Sequence, residues 1–212
     1  MIFKLAPEIA FPNPALAEED GLLAIGGDLS EERLLLAYQN GIFPWFDDDS
    51  PILWYSPHQR FVLFPDELRI SKSMRQILNA NRFKITFNTA FNDVIKACAQ
   101  TKRADQNGTW ITTEMQLAYQ NLHLSGHAYS VEVWDQDELV GGLYGVQINN
   151  IFCGESMFSR KSNASKCALI WLCEQAVYKL IDCQIHSAHL EKLGAKMIER
   201  KEFNAYLKAE KT

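Results

Sequence analysis

Three closely spaced strand patterns limit the folds open to this chain. They occupy residues 129–158, with the sequence YSVEVWDQDELVGGLYGVQINNIFCGESMF. Apolar and β-branched residues are interrupted there at short intervals by turn residues, a pattern typical of successive strands. The first predicted turn spans Asp135 to Asp137. The second is a two-residue hairpin at Asn149 and Asn150, since asparagine tolerates a positive φ.

Helical patterns lie on both sides of these strands. Before them, residues 88–100 and 111–126 predict two helices, because apolar side chains recur at helical spacing. Gly126 closes the second of these helices. After the strands, the predicted order is a long helix, a short buried strand, a further helix and a terminal helix, over SNASKCALIWLCEQAVYKL, LIDCQIH, SAHLEKLGAKMI and FNAYLKAE. The second half of the chain is therefore predicted to be one α/β unit.

The first 64 residues differ in being rich in proline and aromatic side chains. Within them SEERLLLAYQN (30–40) predicts a short helix, capped by Asp28 or Ser30 and ended by Gly41. The passage over residues 41–57 is predicted to be loop-like, and RFVLFP, which follows shortly after, predicts a short strand. We therefore predict an α/β (α+β) chain whose composition changes near residue 64, which separates a first segment, 1–64, from a second, 65–212.

Charge excludes one class of function and leaves another open. The formal net charge is −5 and the isoelectric point is near 5.6, which excludes a globally basic nucleic-acid-binding protein. A local basic surface is still compatible, because binding depends on where the charge lies. Residues 69–84, whose middle predicts a helix from about Ser71, contain no acidic residue. Either a solvated helix face or a phosphate contact would explain their basic side chains, which are Arg69, Lys72, Arg75, Arg82 and Lys84.

Other sequence features favour a cytoplasmic protein without a metal. No apolar run reaches the roughly 20 residues of a membrane span, and the N-terminus lacks the apolar region of a signal peptide. The five cysteines are odd in number and none has C-x-x-C spacing, which favours buried, reduced thiols. His123 and His127 are separated by a helix-ending Ser-Gly pair, so a shared metal is not expected. The common nucleotide-binding, zinc-protease and serine-hydrolase motifs are absent.

Polar residues inside apolar strands are the main functional signal. In LIDCQI, Asp182 and Gln184 are two residues apart and are predicted to share one face of a strand. Ile181, Cys183 and Ile185 are predicted to face the other way. In IFCGESMF, the carboxylate of residue 155 follows a glycine that would permit a bulge or close approach by a ligand. Buried carboxylates are costly unless they are paired, so such residues belong to a structural network or to a site.

Long sequence blocks give the chain a resemblance to a known family. They run in family order from Phe11 to about Ile198 and are GLLAIGGDLS, AYQNGIFPWF, PILWYSP, GTWIT from Gly108, GHAYSVEVW, ELVGGLYGV, FCGESMFSR, NASK and LIDCQ. The chain resembles the leucyl/phenylalanyl-tRNA–protein transferases of the bacterial N-end degradation pathway. Two departures are visible: Tyr55 stands where the family commonly has a second tryptophan, and the helix before LIDCQ is slightly short.

The resemblance implies a fold and an activity. It implies a small N-terminal α/β domain over 1–64. The domain over 65–212 is expected to be catalytic and to have the N-acetyltransferase-superfamily fold, with a central mixed sheet flanked by helices. Members of the family transfer leucine, phenylalanine or, less readily, methionine from aminoacyl-tRNA to proteins with an N-terminal arginine or lysine, which marks those proteins for degradation. The resemblance implies no cofactor: no metal, ATP or acyl-CoA takes part. A monomer is the default expectation.

The resemblance also implies site residues. Asp182, Gln184 and Glu155 are expected to be catalytic, with Gln184 hydrogen-bonded to Asp182 and orienting the attacking nitrogen. The other expected sites are an aminoacyl side-chain pocket, an adenosine-binding pair and a set of tRNA phosphate contacts. They comprise, in that order, Leu143, Phe152, Met157, Leu169, Leu172 and Ile185; Trp45 and Trp110; and Lys72, Arg75, Arg82 and Lys84. The apolar set could equally be ordinary hydrophobic core.

Several alternatives remain open from the sequence. Proton removal from the attacking amine could pass through Asp182 or through the 2′-hydroxyl of the tRNA. We expect Asp182→Ala to abolish most transfer and to leave the fold intact. A rival function is acyl-CoA-dependent N-acetylation, although Arg160 to Ala164 lacks the glycines of a pyrophosphate loop. A non-catalytic tRNA-binding module is the third interpretation.

Overall fold

A computed structural model describes residues 2–101 and 110–209 of the chain. The helices in these ranges are α1 (Glu31–Gln39), α2 (Lys72–Asn79), α3 (Phe91–Gln100), α4 (Thr113–Leu124), α5 (Ala164–Glu174), α6 (Ala188–Glu191) and α7 (Arg200–Lys208). The strands are β1 (Phe3–Leu5), β2 (Leu22–Gly26), β3 (Phe43–Pro44), β4 (Leu53–Tyr55), β5 (Gln59–Leu63), β6 (Lys84–Phe87), β7 (Ala128–Asp135), β8 (Glu138–Ile148), β9 (Ile151–Ser159), β10 (Leu180–Gln184) and β11 (Lys196–Glu199). Two short 3₁₀ turns cover Pro14–Leu16 and Pro65–Glu67.

The described strands form two sheets. The large sheet has the order β11-β5-β10-β9-β8-β7-β6, and the small sheet has the order β1-β2-β4-β3. In the large sheet β9 and β10 are parallel, whereas the other neighbours are antiparallel. The predicted strands β7, β8 and β9 are confirmed. Asn149 has a φ of +51° at the tip of the β8–β9 hairpin, as its residue type allows.

Hydrophobic cores cover both faces of the large sheet. On one face, apolar residues of α1, α3, α4 and α7 pack together with the small sheet. On the other face, α5 and α2 contribute the buried apolar residues. The prediction of a mixed sheet flanked by helices is therefore confirmed. Within the described ranges, none of the helices has the length and apolar character that crossing a membrane requires.

The predicted helix over residues 187–198 is wrong for most of its length. The helix α6 is short, and the chain then turns at Gly194, whose φ is +108°. Residues after this turn form β11, which pairs with β5 at the end of the large sheet. Pairing with the open edge of β5 satisfies the backbone N–H and C=O groups of this segment as well as a helix would. The local apolar pattern therefore could not decide between helix and strand here.

Two other sequence predictions are corrected in part, and one strand was not predicted. The long helix predicted over residues 162–180 ends at Glu174. The passage predicted to be loop-like, residues 41–57, contains strands β3 and β4 of the small sheet. The strand β6 had no counterpart in the prediction. These strands are two to four residues long, too short for alternation to be distinguished from a loop.

The first 64 residues do not pack by themselves. Their last strand, β5, pairs with β10 and β11 of the large sheet. Leu34 and Trp54 share a buried core with Phe203, which lies on α7. The division into domains at residues 64 and 65 stays a prediction. This arrangement brings the N-terminal elements against the strands that carry Asp182 and Glu155.

Candidate active site

The large sheet opens between β9 and β10. The last residue pair that these parallel strands share is Cys153 with Asp182. Beyond it β9 continues to Ser159 and β10 to Gln184, without further pairing between them. A register shift in β9 at residues 154–156 and another in β10 at residues 182–184 accompany the separation. Glu155 and Gln184 lie immediately past the point at which the strands part.

A cavity of about 330 Å³ lies at this opening. Five of the six residues predicted for an aminoacyl pocket line it: Leu143, Phe152, Met157, Leu169 and Ile185. Trp45 and Trp110, the predicted adenosine-binding pair, also line it. Glu155 and Gln184 contribute polar groups to the same walls. The arrangement is a mostly apolar cavity with polar groups at one place.

Leu172 does not line the cavity. It is buried in the core beneath α5, one helical turn beyond Leu169. The two leucines are three residues apart and so lie on neighbouring positions of the same helix. In this structure Leu172 packs as hydrophobic core.

Glu155 is buried and accepts hydrogen bonds on both carboxylate oxygens. The Tyr119 hydroxyl donates to Oε2 at 2.9 Å, and the Gln184 amide nitrogen donates to Oε1 at 2.7 Å. The hydroxyl of Tyr38 is hydrogen-bonded to that of Tyr119. Burial raises the pKa of Glu155 to about 7, although the hydrogen bonds from its partners act in the opposite direction. The carboxyl group is therefore poised to exchange a proton near neutral pH.

Asp182 lies behind the cavity wall and forms a buried ion pair. Its Oδ1 accepts from Arg60 Nε at 2.8 Å and its Oδ2 accepts from Arg60 Nη2 at 2.7 Å. Neither side chain is more than 2% exposed. Arg60 also donates to the carbonyl oxygen of Gly41. Burial acts to lower the pKa of Arg60, but the Asp182 carboxylate raises it above its ordinary value.

Gln184 does not share the direction of Asp182, so the predicted alternation is wrong at this point. Its φ is +64°, in the left-handed region, and the pairing of β10 shifts register beside it. Its side chain turns to Glu155, whereas Asp182 faces Arg60. The two residues are joined through the backbone, because the N–H of Gln184 donates to Asp182 Oδ1 at 2.9 Å.

Three residues of this network were missed by sequence reasoning: Arg60, Tyr38 and Tyr119. Arg60 is a charged residue directly before the apolar run Phe61–Leu63 of β5, which is a signal comparable to the one that marked Asp182. The two tyrosines belong to α1 and α4 and gave no comparable signal, since an aromatic residue on an apolar helix face is ordinary core. Only the packing of both helices over the same strand places their hydroxyls beside Glu155.

Two histidines also line the cavity. His186 contacts the ring of Phe61 and lies 3.4 Å from a carboxylate oxygen of Glu191. His189 has a buried Nε2 without a hydrogen-bond partner, and burial lowers its pKa. The neutral form of His189 is therefore favoured. No group of three or more metal-ligating side chains is found within the described ranges.

The four predicted phosphate contacts lie apart from the cavity. Lys72 and Arg75 are on α2, and Lys84 begins β6. Arg82 forms an exposed ion pair with Asp135, at 3.2 Å. None of these four lines the cavity, but Arg75 and Arg82 line a separate groove of about 690 Å³ between α2 and α5.

Comparison with known proteins decides the family. Residues 62–208 match the family described as leucyl/phenylalanyl-tRNA protein transferase, and residues 27–58 match its N-terminal domain. The chain belongs to the leucyl/phenylalanyl-tRNA protein transferase family. Residues 108 and 109, the first two of the GTWIT block, lie outside the described residues.

Curated members of this transferase family match nearly the whole chain. The leucyl/phenylalanyl-tRNA–protein transferase of Flavobacterium psychrophilum is 56% identical over 207 residues, which cover 96% of this chain and 98% of that protein. The protein of the same name from Flavobacterium johnsoniae is 55% identical and covers 98% of this chain and all of its own length. Among solved structures, a conserved protein of unknown function from Bacteroides thetaiotaomicron has a TM-score of 0.44 and 15% identity, covering 71% of this chain and 55% of its own.

Proposed function

We propose that the chain transfers leucine, phenylalanine or, less readily, methionine from aminoacyl-tRNA to the α-amino group of proteins that begin with arginine or lysine. The observation that carries the proposal is the apolar cavity between β9 and β10, which has Glu155 and Gln184 in its wall and Trp45 and Trp110 beside them. An apolar cavity suits the side chain of the amino acid, polar groups suit the reacting ester, and aromatic rings suit the nucleotide that carries it. Membership of the transferase family supports the same conclusion.

The cavity would receive the side chain of the amino acid that is transferred. Its walls are provided by Leu143, Phe152, Met157, Leu169 and Ile185. Methionine in such a wall tolerates ligands of different shape, since its side chain is flexible. Apolar contact distinguishes side chains that differ by one methylene by only about 1–3 kcal/mol, so the shape of the cavity would have to exclude β-branched residues.

Trp45 and Trp110 would stack on the terminal adenosine of the tRNA. Both indoles are only partly buried and lie at the same cavity. Stacking of a base on an aromatic side chain contributes about 1–3 kcal/mol and tolerates different sequences. Such a contact suits an enzyme that must accept the common CCA end of several tRNAs.

Gln184 would orient the attacking amine, and Glu155 would help to hold the substrates at the same place. The ester is already activated, so the enzyme must chiefly position the nitrogen and manage its proton. In this proposal Asp182 lies behind the cavity wall and acts through Gln184. It binds Arg60 and the backbone N–H of Gln184, and so fixes the bend that turns Gln184 into the cavity.

The basic residues of α2 and β6 would bind tRNA phosphates. Lys72, Arg75, Arg82 and Lys84 belong to the acid-free segment of a chain whose net charge is −5. A local cluster of this kind can bind a polyanion that the whole protein would repel. Because the proposed substrate is tRNA, we place the protein in the cytoplasm. We take it to act as a monomer. Its products would enter N-end-dependent degradation.

One assay tests the function against both alternatives. The full chain is incubated with radiolabelled leucyl-tRNA and a peptide that begins with arginine, and peptide-bound label is counted. We expect label on the peptide, and none when the peptide is N-acetylated. Tight tRNA binding without product would instead favour a tRNA-binding module. Acetylation of the same peptide from acetyl-CoA would favour an N-acetyltransferase.

A further inference from the structure

Four side chains from four elements form one hydrogen-bonded chain at the cavity. Tyr119 gives its single hydroxyl proton to Glu155, so Tyr38 must donate to the Tyr119 oxygen. On the other carboxylate oxygen, Glu155 accepts from the amide of Gln184. The order is therefore Tyr38 on α1, Tyr119 on α4, Glu155 on β9 and Gln184 on β10. Three of these four residues are donors that favour a charged carboxylate in the fourth.

Asp182 is not available to take a proton from a substrate. Its Oδ1 already accepts from Arg60 and from the backbone of Gln184, and its Oδ2 accepts from Arg60. It is fully buried and is absent from the cavity lining. Gln184 carries an amide, which is not a base. Of the predicted catalytic residues, only Glu155 combines an ionisable group with a place in the cavity wall.

We propose that Glu155 accepts the proton of the attacking α-amino group, and that Tyr119 and Tyr38 are positioning residues which orient its carboxylate and stabilise its charged form. The proposal rests on the proposed function and assigns the proton step within it. Gln184 keeps its place beside the nucleophile. The two tyrosines touch no substrate and act through Glu155.

The step balances without any further reactant. The neutral amine attacks the ester carbonyl, so a C–N bond forms and the carbonyl π electrons move to its oxygen. Glu155 removes one proton from the nitrogen of this adduct. The electrons then return, the C–O bond to the tRNA ribose breaks, and Glu155 returns the proton to the leaving ribose oxygen. The products are an amide and a deacylated tRNA, and the carboxylate is regenerated.

The charge environment of Glu155 is set by several elements. Burial raises the pKa of Glu155 to about 7, and the donors of this chain, Tyr119 with Tyr38 behind it on one side and Gln184 on the other, keep it from rising further. The pKa values of both tyrosines are raised well above 10, chiefly by burial, so they remain donors. Other titratable or charged groups around this site are Asp182 and Arg60 behind it, Cys153 on its own strand, Tyr144 beside Tyr119, and His186 and His189 across the cavity.

The test is the pH profile of single-turnover transfer in Tyr119→Phe. The acid limb of this profile is the pH range in which transfer falls as Glu155 becomes protonated. Loss of the Tyr119 hydroxyl removes a hydrogen bond to the carboxylate, so this limb should shift to higher pH by about one unit. Transfer should therefore fall about fivefold at pH 7 and return to nearly the wild-type rate by pH 9. Tyr38→Phe should shift the limb in the same direction by less. The titration of the peptide amine is common to all variants and does not enter the difference.

Matched variants separate this role from a structural one. Tyr129→Phe, which removes a hydroxyl bonded to the carbonyl of Gly126, should leave the profile unchanged. Glu155→Gln should lose about 10²- to 10⁴-fold at pH 9 and should lack the acid limb of Glu155, whereas His186→Gln and His189→Gln should keep that limb. An equal loss at all pH values in Tyr119→Phe would overturn the proposal, as would disappearance of the limb in either histidine variant. Absence of transfer by the wild-type chain would instead contradict the proposed function.

Discussion

Asp182 and Arg60 show at the scale of single residues how a buried charge is held. Two hydrogen bonds of 2.8 and 2.7 Å join the carboxylate and the guanidinium, which also lies over the rings of Phe43 and Phe203. Desolvation of both ions is costly, so the pair is not a large net source of stability. Removing one partner is strongly destabilising, because the other charge is left buried and unpaired.

Asp182→Ala is therefore expected to lower the free energy of unfolding by about 3–5 kcal/mol. This replaces our sequence-based expectation that the variant keeps its fold intact. Urea titration followed by circular dichroism measures the change. The control is Glu67→Ala, which breaks the exposed pair with Lys196 and should cost about 1 kcal/mol or less. Equal effects of the two substitutions would contradict the assigned burial.

Glu155 links stability to pH. The pKa of its carboxyl group is raised from 4.5 to about 7 in the folded chain, so the folded state binds this proton more tightly than the unfolded state does. The resulting stabilisation is complete below pH 4.5 and is lost as the pH rises through about 7. Glu155→Gln removes this dependence.

The free energy of unfolding of Glu155→Gln, minus that of the wild type, is expected to rise with pH by up to about 3 kcal/mol between pH 4.5 and 7. Urea titrations of both proteins across this range give the difference, in which other titrating groups cancel. A difference that stays constant with pH would show that the carboxyl group of Glu155 has an ordinary pKa in the folded chain.

At the scale of elements, helix α3 depends on a neighbouring strand for its cap. Its N-cap residue, Ala90, has no side chain that can accept a hydrogen bond. The buried Glu132 of β7 supplies the acceptor instead, bonding to the backbone N–H groups of Thr89 and Ala90 at 3.3 Å each. Hydroxyls of Thr86, Thr89 and Ser130 also donate to this carboxylate. A carboxylate at a helix N-terminus also interacts favourably with the helix dipole.

Glu132→Ala is accordingly expected to lower the free energy of unfolding by about 1–3 kcal/mol, because the buried donors lose their acceptor. The effect should centre on α3, so amide hydrogen exchange would report faster opening there. Glu114→Ala is the comparison, since α4 already has its own cap in Thr112. Comparable losses in both variants would argue against the capping role of Glu132.

The bulge that carries Glu155 depends on a glycine in the partner strand. A Cβ on Gly145 would overlap the carbonyl oxygen of Cys153 and the ring of Phe152. Gly154 lies opposite in register, yet a Cβ there would meet its nearest atom at 3.5 Å, an ordinary contact. The two glycines therefore differ in what they permit.

Gly145→Ala is expected to destabilise the fold by about 1–3 kcal/mol or more, as overpacking does, and to weaken transfer because β9 must shift at Glu155. Gly154→Ala should keep the thermal transition of the wild type. Differential scanning calorimetry on both variants provides the comparison. Equal transition temperatures in the two would show that β8 and β9 have more room than the structure indicates.

At the scale of the whole molecule, a net charge of −5 coexists with a basic segment. We expect Lys72→Ala combined with Arg75→Ala to reduce the slope of log affinity for tRNA against log salt by about two. Filter binding over a range of salt concentrations measures the slope. A double variant of the exposed Lys96 and Lys201 should change it little. An unchanged slope in the first variant would identify α2 as solvated surface.

Local sequence patterns predicted those elements whose partners are close in the chain. The hairpins of β7, β8 and β9, and the helices α3 and α4, follow from turn residues and from apolar spacing. The strands β6 and β11 did not follow, because each is four residues long and exists only through pairing with a distant strand. The resemblance to a family identified Trp45, Trp110 and most of the cavity wall, which periodicity alone would have left as core.

The amino-acid sequence by itself determined the family, the central strands and the presence of costly carboxylates in apolar strands, since these depend on residue type and near neighbours. Only the tertiary structure decided which groups each carboxylate contacts. Asp182 and Glu155 are both acidic residues, but Asp182 meets the guanidinium of Arg60 and Glu155 meets the hydroxyl of Tyr119 and the amide of Gln184. Those partners lie between 29 and 122 residues away along the chain, so no local pattern could assign them.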